Sequence, residues 1–331
     1  MFFMKNIILI LCLCSIFLTK GNGQNVTIFD TTNSNMTDPD LWSIAVDSRG
    51  NKWMGTSKNG LFIFDGKDFT ASNQDTSTIR GKHVEPIFKD SKDNLWVVFS
   101  EYPHTDIARY DGTQWTVLNP DDIGIKKNDF EIIDICEDKN GVIYFTGISG
   151  LLLIFKDGSW STLKLPKKNM VALNVDVNDK GDIALSMAET DGEPDYGLLV
   201  YKNGKWEKYS EKKSPLVINS VQAVKYMDDG SLIIGYGGGF GDGGFSVMKD
   251  GKWKHFNKSN SGISDHMVRD IEYDGKYYWM ATNNGLVKFD GKNVTPVFFR
   301  EGKYKNVIMD IAIEDGTLWI ATNFGLIRYI P

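Results

Sequence analysis

The side chains best suited to proton transfer or metal binding are four histidines, His83, His104, His255 and His266. Nucleophilic catalysis needs a nucleophile, a base and an orienting acid within hydrogen-bond reach of one another. These histidines share no common spacing to such partners, so nothing in the sequence assembles a catalytic set, and no catalytic residue is assigned. Cys136, beside Ile135, reads as a small core residue. Glu189, Asp191, Glu193 and Asp195 offer oxygens to a hard ion such as calcium. Their spacing lacks the Asp-x-Asp-x-Asp-Gly run with a distal Glu, so a solvated acidic loop is expected. The stretch Gly235 to Gly244 contains a Gly-x-Gly-x-x-Gly match. A dinucleotide site would need it to join a strand to a helix, so that amides and helix dipole meet the pyrophosphate. Strand-like segments flank it on both sides, which predicts a glycine-rich hairpin loop.

The N-terminus carries Lys5, the apolar run Ile7 to Leu18, and small residues before Gln24. That pattern predicts a secretory signal over residues 1–23, cleaved after Gly23, and a secreted or periplasmic protein. Cys12 and Cys14 lie inside the leader, leaving Cys136 as the lone thiol of the mature chain, which must be held by packing rather than by a disulfide. Loss of Lys5 and Lys20 takes the net charge from −6 to −8, with 35 Lys and Arg against 43 Asp and Glu. A chain of that charge repels a phosphate backbone, which argues against a nucleic-acid partner. No later stretch has 18 apolar residues in a row, so no membrane span is expected in the mature chain.

The elements that must position any site come from a repeat. Asp47 to Thr56, followed by Gly60-Leu61 and Phe64-Asp65-Gly66, recurs around Trp279 and again around Trp319. Weaker copies centre on Trp96, Tyr144, Ala184 and Ile233, at spacings of 43, 48, 40, 49, 46 and 40 residues. Residues 24–331 thus divide into seven units of about 44, a period that suits a propeller. Each unit shows four short alternating runs separated by turn residues, and Asp-Gly or Asn-Gly precedes the fourth run in six units. The seventh unit stops after its third run, at Tyr329-Ile330-Pro331. Gln24-Asn25-Val26-Thr27 matches Lys292-Asn293-Val294-Thr295, which opens the fourth strand of unit six. The expected fold is therefore all-β, a single seven-bladed β-propeller of four-stranded antiparallel blades over 24–331. Its last blade is closed by the N-terminal strand, residues 24–30, which removes free edges and ties the termini together.

The signature Asp-x-x-Gly-x-x-Trp-x-x-Thr-x-x-Gly-Leu-x-x-Phe-Asp-Gly resembles the two-component regulator propeller repeat and extends over nearly the whole mature chain. Units one, six and seven match closely; Tyr144, Ala184 and Ile233 replace the Trp in units three, four and five. The resemblance implies a propeller of the kind found in secreted sensor regions of hybrid histidine kinases, where such domains resemble receptors for glycan fragments, and in stand-alone exported proteins.

In a meander, alternate turns lie at opposite ends of the strands. One rim gathers short, uniform turns; the other gathers the connections between strands two and three and between blades, which vary in length. Recognition is expected on the variable rim, with Tyr102, His104, Tyr196, Tyr236 and Phe240 as contacts, because aromatic platforms suit sugar rings and partner surfaces. The first strand of each blade lines the channel, and one aligned position reads Ser43, Pro86, Asp134, Asn174, Ala223, Asp270 and Asp310. Carboxylates ~8 Å apart repel by about 2 kcal/mol per pair at an effective dielectric near 20, so water, a cation or a raised pKa must compensate. A water-filled structural channel is expected, with a divalent cation as the alternative and no other cofactor. The functional expectation is an exported, non-catalytic module that binds a carbohydrate or an envelope protein. The alternative is a metal-assisted propeller lactonase or lyase using the channel carboxylates.

Overall fold

The computed structural model describes residues 25–71, 81–101, 104–118, 131–148, 150–168, 170–188, 196–237, 243–301 and 306–331. Their strands form seven separate four-stranded antiparallel sheets, the blades of a β-propeller. Six blades are meanders of four consecutive strands. The seventh takes its three inner strands from the C-terminus and its outer strand, Asn25–Phe29, from the other end of the chain. That strand pairs from Asn25 opposite Ile330 to Phe29 opposite Leu326, the closure expected from the sequence. Phe29 then continues into the next blade interface, its ring 4.9 Å from Phe64 and 6.4 Å from Trp319. The predicted leader, residues 1–23, lies outside the described residues.

The repeat signature is explained by local bonding. In blade one the carboxylate of Asp47 accepts the Trp53 indole N–H at 3.0 Å and the backbone N–H of Arg49 and Asn51, which closes the turn between first and second strands. Asp90 with Trp96, Asp274 with Trp279 and Glu314 with Trp319 repeat the pairing at 3.0, 2.7 and 2.7 Å. Burial raises the Asp47 carboxyl, but the hydrogen bonds from Trp53, Asn51 and Arg49 outweigh it and hold the group below its ordinary range. The repeated threonine closes the opposite turn: Thr56, Thr282 and Thr322 donate to the carbonyls of Gly60, Gly285 and Gly325.

The core is a circle of seven apolar clusters, each lying between two neighbouring blades. One joins Met54 and Phe64 of the first blade to Trp319 and Leu326 of the last, and another joins Trp96 and Ile107 of blade two to Ile135 and Phe145 of blade three. Every sheet is therefore covered on both faces, and second strands such as Lys52–Thr56 and Tyr278–Thr282 are buried along their whole length. This is why they read as unbroken apolar runs rather than alternating ones. Close packing also dictates small residues. A Cβ on Gly55 would lie 2.0 Å from the Val84 carbonyl oxygen of the next inner strand.

Candidate binding site at the mouth of the central channel

The inner strands Leu41–Val46, His83–Lys89, Ile132–Glu137, Ala172–Val177, Val221–Tyr226, Val268–Tyr273 and Ile308–Glu314 surround the axis. In all seven, pairing with the second strand slips near the variable rim, as between Leu41 and Ser43, Val84 and Ile87, or Val268 and Asp270. A bulge re-aims the side chain it displaces. The displaced positions hold Trp42, Glu85, Ile133, Leu173, Gln222, Arg269 and Met309, and all seven line a central cavity of about 380 Å³. No two are the same residue, whereas the position just before them is aliphatic in every blade, as Leu41, Val84 and Val268 show.

One step deeper lies the ring expected from the sequence, with Ser43, Pro86, Asp134, Asn174, Asp270 and Asp310 lining the cavity. Its polar members chiefly bind the next blade. Asp310 accepts the Ile44 N–H at 2.7 Å and the Ser43 hydroxyl at 2.9 Å. Ser43 accepts the Ile87 N–H at 2.9 Å, Asp134 the Val175 N–H at 2.9 Å, and Asn174 the Val224 N–H at 2.8 Å. Pro86 and Ala223 have no side-chain acceptor. Asp270 is the exception: one oxygen takes its own Ile271 N–H at 2.7 Å, and the other is buried without a partner. Burial pushes Asp134 up to about 8 and Asp310 up to about 7; burial, then the charge of Asp310, raises Asp270 well above the carboxylate range. Deeper still, burial opposes the Lys225 ammonium, but Glu272 at 3.4 Å, with Asp176 and Asp270, keeps it charged. Cys136 lines the same level and also packs against the cluster between blades three and four. Among the described residues no group of three His, Cys, Asp or Glu side chains is arranged to hold a metal ion.

The mouth itself is polar and polarised. On blade two, His83 Nε2 lies 3.4 Å from Glu85 Oε2, and that contact raises the His83 pKa; the His83 ring stands edge-on to Trp42 at 5.5 Å. On blade six, Arg269 Nε donates to Asn283 Oδ1 at 2.9 Å, and Asn283 in turn touches Met267 Sδ at 3.4 Å. The four buried polar atoms without partners among the described residues include Trp42 Nε1 and Asp270 Oδ2, both in side chains that line the cavity. Such atoms concentrate where a structure serves something besides its own stability.

Of the five rim contacts expected from the sequence, three lie on described residues. Tyr102 and Phe240 lie outside the described residues, as does the acidic segment 189–195. His104 begins the third strand of blade two, opposite Glu101. Tyr196 is half-buried against the blade-four cluster, with Lys208 Nζ 4.9 Å from its ring centre. Tyr236 is corrected from rim to core: it is 0% exposed. It ends the second strand of blade five, in the slot that Thr56, Thr282 and Thr322 fill elsewhere, and its hydroxyl bonds Ser246 at 2.8 Å. Of the histidines, His83 touches two cavity-lining side chains, Glu85 and Trp42; His255 sits on an outer strand and His266 in the connection entering blade six. What the sequence reading missed was the bulge position, whose signal is a lack of repetition inside a repeat.

No protein-family model and no curated protein matches the chain. Among solved structures, the extracellular domain of a hybrid two-component system protein from B. thetaiotaomicron is similar over 92% of this chain at 16% identity and a TM-score of 0.71. The chain spans only 41% of that domain's length. A streptogramin B lyase aligns over 92% of this chain and 97% of its own, at 15% identity and a TM-score of 0.69. YCF48 bound to D1 peptide aligns over 94% and 98%, at 16% identity and a TM-score of 0.63. The chain thus shares a propeller fold with all three, as the repeat resemblance implies.

Proposed function

We propose that the protein is an exported, non-catalytic binding module that takes its ligand, a carbohydrate or an envelope partner protein, at the variable-rim mouth of its channel. One observation carries this reading: a single aligned position, displaced by a bulge in every blade, presents seven different side chains to one cavity. A purely structural position in a repeat is free to recur, as the carboxylate–indole pairing does in four blades; a position that reads an asymmetric ligand differs from blade to blade. The cavity volume is within the range of about 300–1,000 Å³ usual for ligand sites, and the fold of an extracellular two-component domain agrees with an extracytoplasmic receptor.

A lactonase or lyase reading draws on the streptogramin B lyase fold and on the raised carboxyls of the channel. Against it, Asp134 and Asp310 spend their oxygens on the N–H groups of neighbouring blades. Metal analysis of protein purified without added ions separates the two readings: a stoichiometric divalent ion lost on changing Asp270 to Asn would favour the enzyme. For the binding reading, the labelled protein is applied to an array of neutral and acidic oligosaccharides. Trp42→Ala should abolish the signal and Trp42→Phe preserve most of it, with the fold intact by circular dichroism. A signal indifferent to both changes would move the site away from the mouth.

A further inference from the structure

Arg269 is the one cation of the mouth ring, and its environment does not account for it. Its side chain is half-buried, and that burial lowers its pKa against the attraction of Glu85 and Asp265. Its Nε is held by Asn283, but its terminal nitrogens make no hydrogen bond, and no carboxylate comes within 4.0 Å among the described residues. The side chain is braced through Asn283, which leaves its planar fork beside the cavity that it lines. That fork matches the oxygens of a carboxylate or sulfate group, which it binds by two parallel hydrogen bonds.

The opposite side of the mouth constrains what carries that group. Glu85 and His83 belong to blade two and Arg269 to blade six, three places apart in a ring of seven, which is as far apart as two blades can be. Glu85 repels a second anionic group and accepts hydroxyl donors, while Gln222 offers both a donor and an acceptor. Trp42 lies on the same wall as His83 and supplies an aromatic surface of the kind that takes a sugar ring. A ligand that suits all of these has an acidic group at one end, hydroxyls at the other and an apolar face between.

Resting on the mouth as the binding site, we propose that the ligand is an acidic sugar, uronate or sulfated, whose oxyanion is anchored by the Arg269 fork while Glu85 and Gln222 receive its hydroxyls. The strongly acidic charge of the chain favours a short oligosaccharide carrying few charges over a polyanion.

The test is isothermal titration calorimetry of the whole mature protein at low salt with trigalacturonate, a sulfated galactan oligosaccharide and neutral galactotriose. At least one acidic sugar should bind tenfold or more tightly than galactotriose, and which one binds identifies the anionic group. Arg269→Gln should weaken that binding by about 10- to 100-fold, the worth of charge-assisted hydrogen bonds, and Arg269→Lys by less. Arg269→Gln should also leave the melting temperature nearly unchanged, because the side chain makes a single hydrogen bond, to Asn283, in the free protein; a merely structural arginine would instead lower it. The proposal is overturned if neither acidic sugar binds, if galactotriose binds equally well, or if Arg269→Gln leaves acidic-sugar binding intact. Where another glycan still binds in a Trp42-dependent way, only the acidic subsite fails; where none does, the mouth fails as a site as well.

Discussion

Asp270 shows how a single residue can depart from its ring. Its equivalents Ser43, Asp134, Asn174 and Asp310 each bind the following blade, whereas Asp270 satisfies one oxygen on its own backbone and leaves the other buried and unpaired. The groups facing it are Asp310 and Glu272, which raise its pKa further, and Lys225, which opposes them. The folded protein therefore keeps protons that the unfolded chain releases near pH 4. With folded pKa values raised, as for Asp134 at about 8 and Asp310 at about 7, their stabilising contribution is whole below pH ~4 and is lost as pH rises toward 8. Asp270→Asn keeps the acceptor for Ile271 and removes the ionisation. It should stabilise the protein by roughly 1–2 kcal/mol at pH 8, change little at pH 5, and so flatten the pH dependence of urea-unfolding midpoints. A variant less stable than the parent at pH 8 would mean that the Asp270 carboxylate is needed as a charge.

At the scale of the element, the second strand of each blade is the most constrained piece of the molecule. It is buried on both faces, its penultimate position, Gly55 in blade one and Gly235 in blade five, is kept small by the neighbouring inner strand, and its last position closes a turn. Blades one, six and seven close that turn with threonine; blade five uses Tyr236, whose hydroxyl bonds Ser246 and accepts the Val217 N–H at 3.4 Å. The larger side chain accompanies a longer connection, which is closed by Tyr236 N to the Gly244 carbonyl at 2.9 Å. Tyr236→Phe should cost about 1–2 kcal/mol in thermal or urea unfolding and leave glycan-array binding unaltered. Lost binding at unchanged stability would return Tyr236 to the ligand. The inner strand is built differently: its bulge sacrifices one ladder position per blade and gains a side chain directed into the cavity.

At the scale of the whole molecule, stability is circular. Each of the seven clusters needs two blades, so no blade has a complete core of its own, and the first and last meet through Met54, Phe64, Trp319 and Leu326, with Phe29 of the closing strand packed against them. Deleting residues 24–29 should remove five backbone pairings together with the Phe29 contacts, and should expose the Gly325–Ile330 edge. The expected result is a broad, low-temperature melt and concentration-dependent association on size-exclusion chromatography, with a peptide spanning 24–30 restoring a cooperative transition. A truncated protein that melts like the parent would show that the ring does not depend on this closure.

The ring, its sevenfold count and its closing strand were all legible in the sequence, because they rest on local chemistry repeated at a fixed interval. A carboxylate five or six residues before an indole, a threonine before a tight turn and an Asp-Gly pair before an outer strand mean the same thing in each copy that carries them. The channel carboxylates were legible as a ring for the same reason. Their bonding was not, because the donor that satisfies each acid lies about 40 residues away in the next blade or 266 residues away across the closure. Tyr236 was misplaced because sequence shows that a tyrosine borders a variable connection, and burial depends on which neighbouring sheet covers it. The mouth was hidden by a one-residue slip in strand register. Period-2 reasoning assigns such a position to a face of the sheet, whereas only the assembled ring turns Trp42, Glu85 and Arg269 toward a common axis.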